Sequence, residues 1–257
     1  MQAYTLVVSS PPHSSEVDFH KAAACLVLFP ADIRMKTIFH VPEVWLADTD
    51  RGKVGKAAQT LQDAGLSVVV VTGAEFHKVP PQSEVRTFTF GDGHFVAGLR
   101  EGKVELAYDD PVLAVMHTPS TDEAARAEAG DSNPAFLDMY LTRGTEVQRI
   151  SVLEDTVDFE GLEDKKVPSQ HGNMRKFFTE WEARFPQATI DRTLMNLRPR
   201  KTITLEELTA VEEQRKGFSY GSRGLLELLD ILAPDLAAVG LADFSSRLIY
   251  LTTPRTV

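Results

Sequence analysis

The sequence predicts an α+β protein, and three observations carry that prediction. Strand and helix signals alternate over residues 3–72. Short alternating strands punctuated by glycine turns follow from residue 84. A helix with an aromatic face, NMRKFFTEWEARFP, then closes that β-rich stretch. The expected architecture is a small α/β N-terminal module, a β-rich domain closed by one amphipathic helix, and a helical C-terminal tail.

The first module reads strand-helix-helix-strand-helix-strand. Tyr4 to Val8 is a β-branched and aromatic run that suits a buried strand. The N-terminal stretch has no basic region or small-residue cleavage site, so a first strand is expected there and not a signal peptide. Asp18 is a plausible N-cap for a helix reaching Cys25, Pro30 interrupts, and ADIRMKTIF starts a second short helix. Val44 to Ala47 is the second strand. From Lys53, Val54, Ala57, Ala58 and Leu61 fall on one helix face. Gly65 suits the left-handed residue that ends such a helix, and LSVVVV is a strand apolar enough to be buried.

VPPQS, residues 79–83, predicts a boundary, giving segments 1–78, 84–192 and 193–257. In the second segment VRTFTF alternates Val85, Thr87 and Thr89 against Arg86, Phe88 and Phe90. GDG and REGK are turn signals, because glycine supplies positive φ without steric cost. HFVAGLREG, KVELAYDD, PVLAVMHTP, AFLDMYLT, VQRISVL and TVDFEGL supply further strand material, and the acidic residues 120–134 read as a loop. On the closing helix Met174, Phe177, Phe178, Trp181 and Phe185 share one face. In the tail, Thr204 and Glu207 form a capping-box pattern, LLELLDIL and DLAAVGLADF read as short apolar helices, and RLIYLTT reads as a final strand.

Over residues 3–72 the element order, ending in LQDAGLSVVVV, resembles the C-terminal domain of the bacterial ribosomal stalk protein, a fold shared by the Clp protease adaptor. Leu28 to Lys36 falls where the stalk family has its Gly-Leu-rich turn and Lys-rich helix. Here Phe29-Pro30 replaces the glycine, and Arg34 and Lys36 are the basic positions kept. The Asn-Asp pair with which the adaptor family grips a peptide is replaced by SSPPHSS. The resemblance therefore implies the fold and not the activity. Many hairpin strands followed by one aromatic helix, over residues 84–192, resemble the pleckstrin-homology-like fold.

Composition narrows function. Net charge is −10, and residues 83–192 hold 21 of the 37 acidic side chains, which would repel a phosphate backbone; no nucleic-acid partner is expected. No run approaches the twenty apolar residues a spanning helix needs, so no membrane span is expected. A single cysteine, Cys25, excludes an internal disulfide framework and points to the cytoplasm.

The motifs are weaker than they first look. DTDRGKVGKAAQ sets Gly55-Lys56 after a strand, but Asp50 stands where a phosphate loop needs its first glycine and Ala57 where it needs a hydroxyl. A helix capped by Asp48 or Asp50 is the simpler reading. His13, His20 and Asp18 could assemble a metal site, and Cys25 with His20 a nucleophile pair, yet neither has the spacing of a known site. Acidic pairs such as Asp109-Asp110 suit turns better than acid–base work. Arg198, Arg200 and Lys201 in RPRKT form a dense basic cluster that could hold an acidic partner or a phosphate.

No metal and no cofactor is expected. The expected function is non-catalytic, a protein-binding scaffold or regulatory adaptor of the bacterial cytoplasm whose partner is another protein, reached through the C-terminal tail. An enzyme of an unrecognised family, with a site built between domains, and a self-associating structural subunit are the alternatives the residues leave open.

Overall fold

Tyr4–Ser9 (β1) runs between Glu43–Asp48 (β2) and Ser67–Thr72 (β3), antiparallel to both, so β1 is the middle of a three-stranded sheet. The computed structural model describes residues 4–9, 17–37, 42–118, 135–143, 146–196 and 241–253. Contacts divide the chain into two units, Met1–Val79 with Pro199–Val257, and Pro80–Arg198. The protein is α+β.

In the first unit, helices Phe19–Leu26 (α1), Pro30–Thr37 (α2) and Arg51–Asp63 (α3) share one core with the sheet. Ala22 and Ala23 of α1, Ile33 of α2, and Val54, Ala57, Ala58 and Leu61 of α3 meet Val8 and Val68 there. The small residues let the helices approach closely, and the spacing of the α3 set is the apolar face read from the sequence. Asp18 caps α1 by accepting from the Lys21 amide at 3.0 Å. Gly65, at φ 88°, takes the left-handed turn after α3 and lets the Leu66 amide reach the Leu61 carbonyl.

Two elements of this unit differ from expectation. Gly73–Lys78 is a short helix (α4), set by a capping box in which Thr72 and Glu75 bond each other's backbone amides. The sequence carries that Thr-x-x-Glu pattern directly after β3. RLIYLTT, expected as a strand, is instead the end of helix Leu241–Thr252 (α6). Ser245, Leu248 and Ile249, and likewise Ser246 and Tyr250, are buried at helical spacing. Thr252 and Thr253 turn their hydroxyls back onto the Leu248 and Ile249 carbonyls, which removes the β preference of threonine from the decision. This helix lies against β1, and its Arg247 guanidinium sits over the Phe76 ring at 5.8 Å.

The second unit is a seven-stranded sheet made of two meanders. Ser83–Phe90 (β4), His94–Leu99 (β5) and Lys103–Ala107 (β6) form the first; Val112–His117 (β7), Phe136–Arg143 (β8) and Glu146–Leu153 (β9) form the second. β4 joins β9 in parallel, and Thr189–Asp191 (β10) adds to β7 in parallel, giving the order β10-β7-β8-β9-β4-β5-β6. The GDG and REGK turns use Gly93 at φ 81° and Gly102 at φ 96°. At the far end of β8, Arg143 donates to the Glu105 carbonyl of β6 at 2.9 Å, which shows that the sheet curls.

Gln170–Arg184 (α5) fills the concave side. Met174, Phe177, Phe178 and Trp181 of α5, with Phe185 just beyond it, form one core with residues from both meanders. The Phe177 ring meets Phe88 edge-on and lies tilted against Phe90, Phe95 and Phe178. VRTFTF departs from strict alternation: a bulge between Val85 and Thr87 puts Val85 and Phe88 both in the core. TVDFEGL, expected as a strand, is largely a 3-10 helix over Phe159–Lys165. Asp158 caps it, and Phe159 and Leu162, three apart, both reach the core, the repeat of a 3-10 turn. Residues 120–134, the capping-box pattern at Thr204, GFSYGSRG and LLELLDIL lie outside the described residues.

Candidate functional site

The turn between α1 and α2 exposes what a folded chain ordinarily hides. Val27 is 79% and Phe29 73% exposed, and among the described residues these are the large apolar side chains left in solvent. Leu28, between them, turns inward and packs on the helical core. The turn is built locally. Val27 occupies the left-handed region at φ 56°, ψ 42°, and donates its amide to the Ala23 carbonyl, as the Leu28 amide does at 3.0 Å. Phe29 precedes Pro30 at the start of α2, where proline's fixed φ suits the first helical residue. Asp32 reaches back to accept from the Phe29 amide at 3.1 Å, while its own amide bonds the Phe29 carbonyl at 2.9 Å.

A β-branched residue in the left-handed region is strained by about 1–2 kcal/mol, and glycine is the usual occupant there. Val27 recovers none of this by burial, since its side chain faces water. The result is a convex apolar knuckle bordered by exposed Ala24, Ala31, Asp32 and Arg34. Arg34 is itself placed over the Phe19 ring at 5.2 Å.

A second arrangement is polar and buried. In β8 and β9, residues on one face of the sheet join the α5 core, while Asp138, Tyr140, Arg149 and Ser151 occupy the other face. Asp138 opposes Ser151 and Tyr140 opposes Arg149. Asp138 accepts from Arg149 at 2.5 Å, from the Ser151 hydroxyl, and from the Gln82 amide at 3.4 Å. The Arg149 guanidinium lies over Tyr140 at 5.4 Å. His117 on β7 shares this face, and its Nδ1 lies 2.9 Å from the Leu194 carbonyl. Ser151 donates straight to a carboxylate, without an imidazole between them, so the set lacks the relay of an activated serine. It neutralises a charge pair and fixes the register of two strands.

The residues singled out in the sequence fare differently. Asp50 caps α3, accepting from the Gly52 and Lys53 amides at 2.8 and 3.2 Å, and Lys53 is paired with Asp48. That pair holds the Asp48 carboxyl below its ordinary range. The Gly-Lys stretch is therefore engaged in starting a helix. Cys25 packs on α3, its thiol pointing at the Ala57 carbonyl at 3.9 Å, and burial pushes its pKa up, away from the thiolate. Asp110 accepts from the Ala107 amide and from Arg143, as a turn residue does. His20 is exposed; His13 and the basic set Arg198, Arg200 and Lys201 lie outside the described residues. Among the described residues no cluster of three His, Cys, Asp or Glu could hold a metal ion, and no helix is long and apolar enough to cross a membrane.

The Val27–Phe29 knuckle went unseen in the sequence. The sequence places Phe29-Pro30 at a turn where glycine would stand, but valine at the preceding helix end hides the left-handed residue that glycine would announce. The chain is thus an α+β protein whose described residues include an apolar surface knuckle and a buried polar lock. No family model, no curated protein and no solved structure matches it.

Proposed function

We propose that this chain is a non-catalytic, protein-binding adaptor that docks through the α1–α2 turn. The observation that supports it is the coincidence of exposure and strain at Val27, with Phe29 exposed beside it. A large apolar side chain held in water on a strained backbone weakens the free protein, and a binding partner that buries it offsets that cost.

The occupant is a different protein with a shallow apolar pocket. Two convex knuckles do not complement each other, so a second copy is a poor fit. A net charge of −10 opposes approach to an anionic lipid surface. Aromatic and aliphatic anchors seated in a pocket typically dominate such interfaces. A lone thiol suits a reducing compartment such as the cytoplasm.

A photo-crosslinking side chain at position 29, compared with one at exposed Ala74 of the same unit, tests this in native cells. One distinct protein adduct from position 29 is expected. The partner so identified, once purified, should lose at least about tenfold in affinity for the Val27→Gly/Phe29→Ala chain, the size of 1.4 kcal/mol. The same adduct from both positions, or equal affinity for the variant, overturns the reading.

A further inference from the structure

The outer edge of β3 is a second feature of the unit that holds it. Its sequence is SVVVVT, with no charged residue and no proline, and among the described residues β1 is the strand that pairs with it, on one side. Such an edge invites another strand, and proteins ordinarily blunt it with one of those residues. In an antiparallel ladder the amide and carbonyl of one residue point the same way, and those of its neighbours point the other way. Val68, Val70 and Thr72 share one parity.

The two outer members of that set are engaged by side chains. The Val68 carbonyl accepts from the Gln62 amide at 3.2 Å. The Thr72 amide donates to the Glu75 carboxylate at 2.7 Å. Both contacts are made by groups outside the sheet, which assigns this parity to the open side of β3. Val70 is left between them, half-buried.

We propose that Gln62 and Glu75 guard the β3 edge, and that what they hold off is a second copy of this chain pairing antiparallel along its own β3. Centred on Val70, that pairing sets Val68 opposite Thr72 and Val69 opposite Val71 of the copy. No like charges meet. Its outer bonds would run from the Thr72 amide to the Val68 carbonyl of the copy, the same two groups that Glu75 and Gln62 occupy. The side chains and the second strand are therefore alternatives for one set of hydrogen bonds.

The test is the mass of the full chain by light scattering after size exclusion, over a wide concentration range. The Gln62→Ala/Glu75→Ala variant should shift toward twice the wild-type mass as concentration rises, and adding Val70→Pro should restore the wild-type value. The outward Val70 amide is the one proline removes, so the ladder to β1 is kept. Should loss of Glu75 melt α4, as circular dichroism would show, Gln62→Ala alone is read in its place, with a smaller shift expected. The proposal is overturned if the guardless variant keeps the wild-type mass throughout. It is equally overturned if Val70→Pro leaves the association intact, or lowers the mass of the otherwise wild-type chain.

Discussion

The guanidinium of Arg149 and the carboxylate of Asp138 meet at 2.5 Å with neither side chain exposed to solvent. The two stand on a diagonal across β9 and β8, two residues out of register, with Ser151 opposite Asp138 and Tyr140 opposite Arg149. Removing one member takes from the other its buried countercharge at 2.5 Å. Arg149→Met alone should lower unfolding free energy by about 3–5 kcal/mol, whereas Arg149→Met combined with Asp138→Leu should recover part of that loss. Urea melts of the three proteins check this, and strictly additive losses would refute the coupling.

The glycines separate into two kinds of close approach. A Cβ at position 161 would stand 2.1 Å from the Phe88 carbonyl, a backbone atom with nowhere to go. At position 98 it would meet the Thr87 hydroxyl at 2.3 Å, which can rotate away. Gly161→Ala should therefore cost about 3 kcal/mol and Gly98→Ala about 1 kcal/mol. Thermal melts of the two variants should keep that order, with Gly98→Ala further relieved by Thr87→Ala.

Acid should loosen the start of α4. Hydrogen bonds from the Thr72 amide, then its hydroxyl, hold the Glu75 carboxyl below its usual range. A carboxylate with a depressed folded pKa adds stability that is present above its unfolded pKa and lost as pH falls through the folded value. Stability should decline below about pH 4.3 more steeply in the wild type than in Glu75→Gln, which cannot titrate. Parallel curves in a denaturant titration over that range would exclude Glu75 as a contributor.

Val27→Gly should make the free chain more stable by up to about 1 kcal/mol, since relief of the left-handed strain outweighs the added freedom of the unfolded chain. Phe29→Ala should leave the melting temperature almost unchanged, because the ring makes little contact with its own chain. A stabilising change that also weakens partner binding would mark the turn as kept for recognition.

Local chemistry carried most of what was legible in advance. The Asp18 and Asp50 caps, the Gly65 stop, the two glycine hairpins and the aromatic face of α5 each depend on residues within a turn or two. The α4 capping box was equally local and simply fell in the shadow of the valine run before it. RLIYLTT misled because β-branched and aromatic residues favour strands on their own, whereas burial at helical spacing decided the outcome. Asp138 and Arg149 could not be paired without the register of β8 against β9, and no local pattern supplies it. Val27 hid because the site breaks the glycine rule by which such turns are recognised.

The parallel junction of β4 with β9 spans two residue pairs, Ser83 with Ile150 and Glu84 with Ser151. Within each meander the ladders are several pairs long. The sheet is thus mechanically uneven: two stiff panels share a short seam, and the aromatic rings of α5 span it like a splint. Few backbone bonds hold that line, so the angle between the panels depends on the packing of the helix and on the Arg143 bridge to the Glu105 carbonyl more than on the ladder itself.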